Sequence, residues 1–456
     1  MQDKLKRKDF LKATGLGVAG LALPGLLASF RRSASKPNII LIMADDLGYG
    51  DLGCYGNTTI QTPYLDALAR GGMRFTDFHS NGPVCSPTRA ALLTGRYQQR
   101  CGIDHVFLAS LTSGHHEKPG MSLVEVTFAE VLKAVGYKTG LFGKWHLGYP
   151  PEYNPVHQGF DEFRGYVSGN VDFHSHVDGG GIDDWWDGTR KIEEEGYVTD
   201  LITGHAVDFI ERHRNSPFLL YLPHEAPHFP YQGRSDEPFR FPGNPNAGQG
   251  PREDKKAAYK EMIEVMDEGI GKVLEIVRRL GLEQNTLIFF CSDNGATRIG
   301  SNDPLAGYKG SLWEGGHRVP AIAYWPGKIQ PDIVSDETVM TMDIFPTLMA
   351  MTGASPPANV ELDGVNILPV LLAGEKLPER QLFWSYEWRE NQKERVVREG
   401  PWKLYIQGGE KRLFNLKEDL SEQSNLATVY PERAVAMETA FAQWYEEVTT
   451  GIKRLT

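Results

Sequence analysis

The chain has 456 residues, 41% of them hydrophobic and 23% charged, with a formal net charge of −11. That composition excludes a disordered or membrane-embedded chain, and the length allows one large core with room for a smaller second unit. No long basic run interrupts the acidic balance. This argues against nucleic acid as a partner and leaves small anions to be held by local positive sites.

In chain order, Lys4, Lys6, Arg7, Lys8 and Lys12 precede an apolar run rich in glycine and alanine from Ala13 to Leu27. The pattern predicts an export signal over residues 1–35, with a basic start and a short apolar stretch. Arg7-Lys8-Asp9-Phe10-Leu11-Lys12 resembles a twin-arginine signal with lysine replacing the second arginine, and a general secretory signal is the other route. A periplasmic or secreted protein is expected. A retained membrane anchor is the alternative, although the run is short for a span. The cysteines are Cys54, Cys85, Cys101 and Cys291, and a chain of this size can fold without disulfides.

Folded sequence is expected from Lys36. Asn38–Ala44 is an uninterrupted apolar run ended by Asp45-Asp46, as in a central strand covered on both faces. Its carboxyl end is where open α/β sheets bind ligands. Adjacent carboxylates repel and suit a cation, with an exposed Asp-Asp turn as the plainer reading. Thr62–Ala69 reads as a helix capped by Thr62, and Met73–Phe75 as a strand leading to Cys85-Ser86-Pro87-Thr88-Arg89. A helix beginning there would set free amides and the Arg89 guanidinium beside the thiol. That predicts a lowered thiol pKa and a cradle for a tetrahedral oxyanion such as sulfate or phosphate. Gly95 should end this helix, and Arg96 is a candidate to reach back to the site. After a helix over Thr127–Ala134 and a strand over Lys138–Gly143, Lys144 and His146 alternate across Trp145. In extended chain they share one face, which suits a dianion.

From Pro150 to Tyr197 periodicity is weak. Ser168, His174, His176, Trp185 and Trp186 are candidate substrate-binding residues there, the tryptophans as a surface for stacking a sugar ring. Asp172, His174 and His176 give only a weak second metal reading. A helix over Leu201–Glu211 and a strand over Pro217–Leu222 lead to His224 and His228 in a proline-framed loop, with His224 a candidate substrate contact. Ala257–Leu280 is an amphipathic helix in which Met262 and Met266 are core. The strand Thr286–Phe290 runs into Cys291-Ser292-Asp293-Asn294. Asp45, Asp46, Asp293 and Asn294 together offer hard oxygen ligands, favouring calcium over zinc, with magnesium possible. Past Leu371, short strands near 383–386, 395–398, 402–405 and 412–415 and a helix over Pro431–Glu447 predict an antiparallel sheet with one helix. The expected units are residues 36–375 and 376–456.

Cys85-Ser86-Pro87-Thr88-Arg89, continued by Leu92-Leu93-Thr94-Gly95-Arg96, resembles the sulfatase signature. Gly143-Lys144-Trp145-His146-Leu147-Gly148, His157-Gln158-Gly159-Phe160-Asp161 and Gly307–Pro320 resemble further sulfatase stretches, so the likeness spans Lys36 to Thr456. It implies the alkaline-phosphatase-like α/β fold: a large mixed, mostly parallel sheet flanked by helices, then a small antiparallel sheet with a helix. It also implies that a separate maturing enzyme converts Cys85 to formylglycine, whose hydrated diol attacks sulfur. By the same resemblance Arg89 orients the diol and metal ligands, and Lys144 and Lys309 balance charge on the transferring group. Asp293 or the metal activates the diol, His228 or Lys309 protonates the leaving alcohol, and His146 is the base that lets sulfate depart. Glu314 and Arg318 read as a structural pair. The implied substrate is a sulfated saccharide, in the manner of arylsulfatases and galactosamine sulfatases. The alternatives are a phosphomonoesterase or phosphodiesterase of the same superfamily, and a secreted sulfoglycan-binding protein without turnover.

Overall fold

The apolar run Asn38–Ala44 lies in the middle of a ten-stranded sheet. Ile39, Leu41 and Met43 enter one hydrophobic core, while Ile40, Ile42 and Ala44 enter the core on the other face. An unbroken apolar run is what such a doubly covered strand requires, because neither set of alternate side chains meets water. Residues 36–107, 117, 119–244, 248–387 and 392–452 are described by the computed structural model. The export signal expected over residues 1–35 lies outside the described residues. No helix among the described residues is long and apolar enough to cross a membrane.

Strands Phe218–Pro223 and Thr286–Ser292 flank the central strand, both parallel to it. Lys138–Lys144 and Glu162–Tyr166 continue the parallel run on the first side. Ala321–Tyr324 is antiparallel to both Thr286–Ser292 and Met73–Phe75, so the sheet is mixed but mostly parallel, as expected. Helices Val198–His213 and Lys255–Arg279 bury their apolar stripes in one core. Cys85–Thr94, Phe128–Ala134 and Ile344–Thr352 contribute to the other. Thr127 caps its helix through a reciprocal pair with Glu130, but Thr62 does not cap Pro63–Gly71. The free amides of Tyr64 and Leu65 instead donate to buried Asp267 on the long helix.

The C-terminal strands Gln381–Glu387, Lys393–Glu399, Trp402–Gln407 and Glu410–Asn415 form an antiparallel sheet in sequence order. Helix Pro431–Thr449 buries Ala434, Met437, Phe441, Trp444 and Val448 against it. This third core also takes in Val84, Ala91, Tyr97 and Leu312 from the large unit, so the two units share a packed seam.

Candidate active site

The parallel strands all deliver polar residues at their carboxyl ends, and these residues converge. Asp45 and Asp46 follow the central strand, Asp293 and Asn294 follow Thr286–Ser292, and Lys144 ends Lys138–Lys144. Backbone bonds lock the ends together: Asp293 N–H donates to the Ala44 carbonyl and Asp45 N–H to that of Ala226. Asp46 and His146 adopt left-handed backbone, with φ of 65° and 57°. Asp and His tolerate that region better than most residues, and strain there is characteristic of functional sites. The Tyr259 hydroxyl holds the strained Asp46 by donating to its carbonyl at 3.0 Å.

Cys85 is the first residue of helix Cys85–Thr94, and Gly95 closes that helix in left-handed conformation. The Cys85 thiol donates to Asp45 Oδ1 at 3.3 Å and accepts from Lys309 Nζ at 3.5 Å. Arg89, one turn along the helix, bonds Asp293 Oδ2 through Nη2 at 2.7 Å and Nε at 3.2 Å. Its Nη2 also lies 3.4 Å from Asp45 Oδ2, which pairs with Lys144. Lys309 Nζ sits 2.6 Å from Asp46 Oδ1, and Asn294 Nδ2 donates to the same oxygen at 2.7 Å. Lys309 is partly exposed, whereas Cys85, Asp45, Asp46, Lys144, Asp293 and Asn294 are buried. Access from solvent is therefore along the Lys309 side.

Burial works to raise the Asp45 carboxyl, but the charges of Lys144, Arg89 and Lys309 outweigh it and hold the group well below the carboxylate range. Asp293 goes the other way, pushed up to about 6 by burial and the Asp45 charge. Burial, followed by the neighbouring lysine charges, drives His146 and His228 well below the imidazole range, so both are neutral near pH 7. The thiol corrects the expectation of a lowered pKa: burial and the adjacent Asp45 carboxylate raise Cys85, overriding the helix start and both lysines. Desolvating a thiolate costs more than the helix amides return. Cys85 as encoded is thus a poor nucleophile.

Two buried oxygens in the cluster, Asp46 Oδ2 and Asn294 Oδ1, have no hydrogen-bond partner. Asp45, Asp46, Cys85 and His228 each offer a ligand-capable atom, all within 4.8 Å of one another. Orphaned carboxylate and amide oxygens beside a second carboxylate are the donor set of a hard cation, and the residues fit calcium or magnesium.

Residues 37–354 match the family model described as sulfatase. The chain belongs to the sulfatase family. Residues 308–444 match a second model, N-sulphoglucosamine sulphohydrolase, C-terminal. This sulfatase is similar to N-acetylgalactosamine-6-sulfatase of Homo sapiens, 36% identical over 390 residues covering 81% of this chain and 70% of the relative. Arylsulfatase A of Homo sapiens is 37% identical over 399 residues, 78% of this chain and 72% of that one. Among solved structures, Ps i-CgsB in complex with k-i-k-neocarrahexaose aligns with TM-score 0.82 and 29% identity, covering 92% of this chain and 95% of that chain. A phosphonate monoester hydrolase of Agrobacterium radiobacter shares the fold at TM-score 0.67 and 20% identity. The chain is accordingly a sulfuric ester hydrolase.

Not every residue picked from the sulfatase sequence joins the cluster. His228 Nε2 lies 3.7 Å from Asp46 Oδ2, and His146 feels the charges of Lys144, Arg89 and Asp45. Arg96 does not reach back: its guanidinium pairs with Glu125 at 2.9 Å. The proposed sugar platform is also corrected. Trp185 is 2% exposed, stacks on Tyr166 and His176, and donates to Glu194 Oε2. Trp186 donates to Asp184, and Lys191 covers its ring at 5.3 Å. Ser168 Oγ donates to the Asn170 carbonyl, while His174 and His176 bond the Gly233 and Gly196 carbonyls. His224 is fully buried, burial lowers it to about 3, and neither ring nitrogen has a hydrogen-bond partner. Asp172 accepts from four backbone amides, so it is an anchor for its loop and not a metal ligand. Sequence reasoning missed Tyr386, which lies within electrostatic reach of Lys309 and Cys85 from the C-terminal sheet. It carried no signal beyond its place in a short strand.

Proposed function

We propose that the protein hydrolyses sulfate esters of a saccharide, with formylglycine at position 85 and calcium, or less favourably magnesium, held by Asp45, Asp46, Asp293 and Asn294. The observation that carries this is the pair of orphaned buried oxygens on Asp46 and Asn294, beside a residue 85 whose thiol is disfavoured as a nucleophile. The cation, when bound, supplies positive charge to sulfate oxygens, and hydrated formylglycine supplies a diol nucleophile. The three carboxylates of Asp45, Asp46 and Asp293 are balanced by Arg89, Lys144 and Lys309. A divalent cation therefore brings net positive charge to the site, which meets the singly charged sulfate ester. Saccharide specificity is supported by likeness to N-acetylgalactosamine-6-sulfatase and to a structure holding neocarrahexaose.

In this reading Arg89 keeps Asp293 and Asp45 oriented towards residue 85, and Asp293 takes the proton of the attacking hydroxyl. Lys309, on the open side, and Lys144, on the buried side, hold the sulfate oxygens as charge grows on them. His228 donates Nδ1–H to the Phe229 carbonyl at 2.6 Å, so its neutral Nε2 is a bare acceptor, and the Lys309 ammonium is the group that holds a proton for the leaving alcohol. His146 donates Nε2–H to the Phe107 carbonyl at 2.8 Å, and Nδ1 has no partner. That tautomer presents a bare lone pair, as the base for sulfate departure needs. A formylglycine-generating or sulfatase-maturing enzyme is the implied partner. The basic and apolar composition of residues 1–35 supports export to the periplasm or beyond. Residues 36–375 form the catalytic unit and 376–456 the small unit in this scheme.

The test is sulfate release from a panel of defined sulfated saccharides, using enzyme whose conversion at Cys85 is verified by intact mass. Matured protein should release sulfate, and Cys85→Ala should lose about 10⁴-fold or more in kcat. Undiminished release by Cys85→Ala would sink the proposal. So would faster cleavage of phosphate esters than of any sulfate ester, or saccharide binding with no release at all.

A further inference from the structure

Lys309 is carried by a loop with no regular structure of its own. The backbone from Asn302 to Trp313 belongs to no helix or strand, and Gly307 and Gly310, on either side of the lysine, have φ of +85° and +83°. Such glycine-flanked chain does not fix the direction of a long side chain by itself. Its direction is set by what holds the amides. On one side Lys309 N–H donates to the Ala296 carbonyl at 3.0 Å and Gly310 N–H to that of Pro83 at 2.9 Å. On the other side the holders come from the C-terminal unit. Leu312 N–H donates to Glu394 Oε2 at 2.6 Å, and Glu314 N–H to Glu422 Oε2 at 2.7 Å.

Both acceptors are themselves built in. Glu394 is buried on strand Lys393–Glu399, where Gln407 Nε2 donates to its other oxygen at 3.4 Å. Glu422 is buried in left-handed backbone, φ 54°, and pairs with buried Lys403 at 2.7 Å. A non-glycine residue held in that conformation and aimed at a neighbouring loop is a strained position that the surrounding structure maintains. Between the two anchored amides, Trp313 stacks on Tyr405 at 4.8 Å with the Arg412 guanidinium 5.5 Å from its ring. The loop is thus gripped at successive points by the small C-terminal unit, through strands of its sheet and the chain that follows the last one.

We propose that Glu394 and Glu422 are positioning residues for Lys309, so that the small antiparallel unit sets the reach of a cation acting on the sulfate group. The inference rests on the reading above that Lys309 contacts the transferring group. Removing either carboxylate frees an amide, lets the glycine-flanked loop relax, and withdraws the ammonium from residue 85 without touching any reacting atom.

A double-mutant cycle tests it, on matured full-length enzyme with the fastest substrate of the saccharide panel. Glu394→Ala should lower kcat/KM about tenfold or more, and Glu394→Gln, which keeps an oxygen for the Leu312 amide, should restore most of it. In a Lys309→Ala background the same Glu394→Ala change should shift kcat/KM less than about twofold, because the residue acts through the lysine. Glu422→Ala should follow the same pattern. Equal losses in both backgrounds would mean a general structural effect and overturn the proposal. If Lys309→Ala alone retains full activity, the reading of Lys309 fails and the inference falls with it. Should Glu394→Ala not fold, Glu394→Asp, which keeps the charge but draws the oxygen back by one methylene, takes its place in the cycle with the same expectations.

Discussion

Asp46 at the end of the central strand and Glu314 in the seam between the units are both 1% exposed, yet their surroundings differ. Around Glu314, every carboxylate faces a cation. Lys403 lies 2.9 Å from Glu314 and 2.7 Å from Glu422, Arg318 pairs with Glu314 and Asp77, and Arg398 pairs with Asp77. Glu314 and Arg318 do form the structural pair read from sequence, within this larger network. Around Asp46, one carboxylate oxygen is taken by Lys309 and the other has no hydrogen-bond partner, the neutral His228 ring being 3.7 Å away, while the Asn294 carbonyl oxygen beside it is also bare. Three imidazole, thiol or carboxylate groups cluster in the seam as well, His79, Glu314 and His317. An ammonium already sits among them, so no ion is called for. The lesson is that a list of buried charges does not find a reaction centre. Orphaned acceptors of two parallel strand ends that meet beside a third carboxylate point to one.

Exchanging the central lysine of each cluster should separate the two most sharply. Lys403→Met leaves Glu422 without its cation beside a Glu314 that keeps only Arg318 and Arg398, and should cost about 3–5 kcal/mol of unfolding free energy. Denaturant titration at pH 7 measures it, and an unchanged midpoint would show that the seam is not held by that charge. Lys309→Met should do the reverse. On the proposed reading its loss removes a donor to the sulfate group and should lower kcat about 10²–10³-fold, with a smaller loss of stability than Lys403→Met because Lys309 is partly exposed. A large drop in melting temperature with intact turnover would make the Lys309 cluster structural after all.

Calcium sharpens the contrast at a smaller scale. Bound at the orphaned oxygens, it should stabilise the native state by about 2.7 kcal/mol at a hundred times its dissociation constant. Removing it with a chelator should abolish turnover reversibly. Asp46→Ala with Asn294→Ala should erase the stabilisation, whereas Lys403→Met should keep it. Equal calcium shifts in wild type and the Asp46/Asn294 variant would place the ion elsewhere.

The central cluster was legible because its elements advertise themselves. Asn38–Ala44 and Thr286–Ser292 are apolar runs ending in oxygen-bearing residues, and their parallel pairing puts those ends side by side. The Pro150–Tyr197 stretch gave no such guide. With no period to assign faces, Trp185 read as a platform when it packs on Tyr166 and His176. The seam was invisible for another reason. Glu394 and Lys403 look like ordinary polar residues of a short sheet and Glu422 like one of the chain after it, and only the fold brings them to a loop 82 or more residues earlier. The raised Cys85 thiol depended likewise on burial, which a helix start in sequence does not reveal.

The smallest effect concerns protons in the seam. His79 Nε2 lies 2.9 Å from Asp77 Oδ1, its Nδ1 lies 3.0 Å from His317 Nδ1, and Lys403 Nζ lies 3.4 Å from His317 Nε2. One set of neutral tautomers satisfies the whole chain: Lys403 donates to His317, His317 to His79, and His79 to Asp77. Protonating either ring would set N–H against N–H or against the ammonium. Accordingly burial, aided by Lys403 at His317, lowers both imidazoles. In the unfolded chain they titrate near the ordinary value of about 6.5. As pH falls through that value the unfolded state takes up protons that the folded state refuses, so this pair loses stability on acidification. Glu422 opposes it: burial raises that carboxyl against the pull of Lys403, so the folded state gains a proton first and is stabilised by the same change. Replacing both imidazoles by glutamine (His79→Gln with His317→Gln) leaves the Glu422 contribution alone. Relative to wild type, the double variant should then gain about 1 kcal/mol of unfolding free energy between about pH 7 and pH 6. Parallel pH profiles for the two proteins would mean that the rings titrate alike folded and unfolded, and the neutral chain would have to be abandoned.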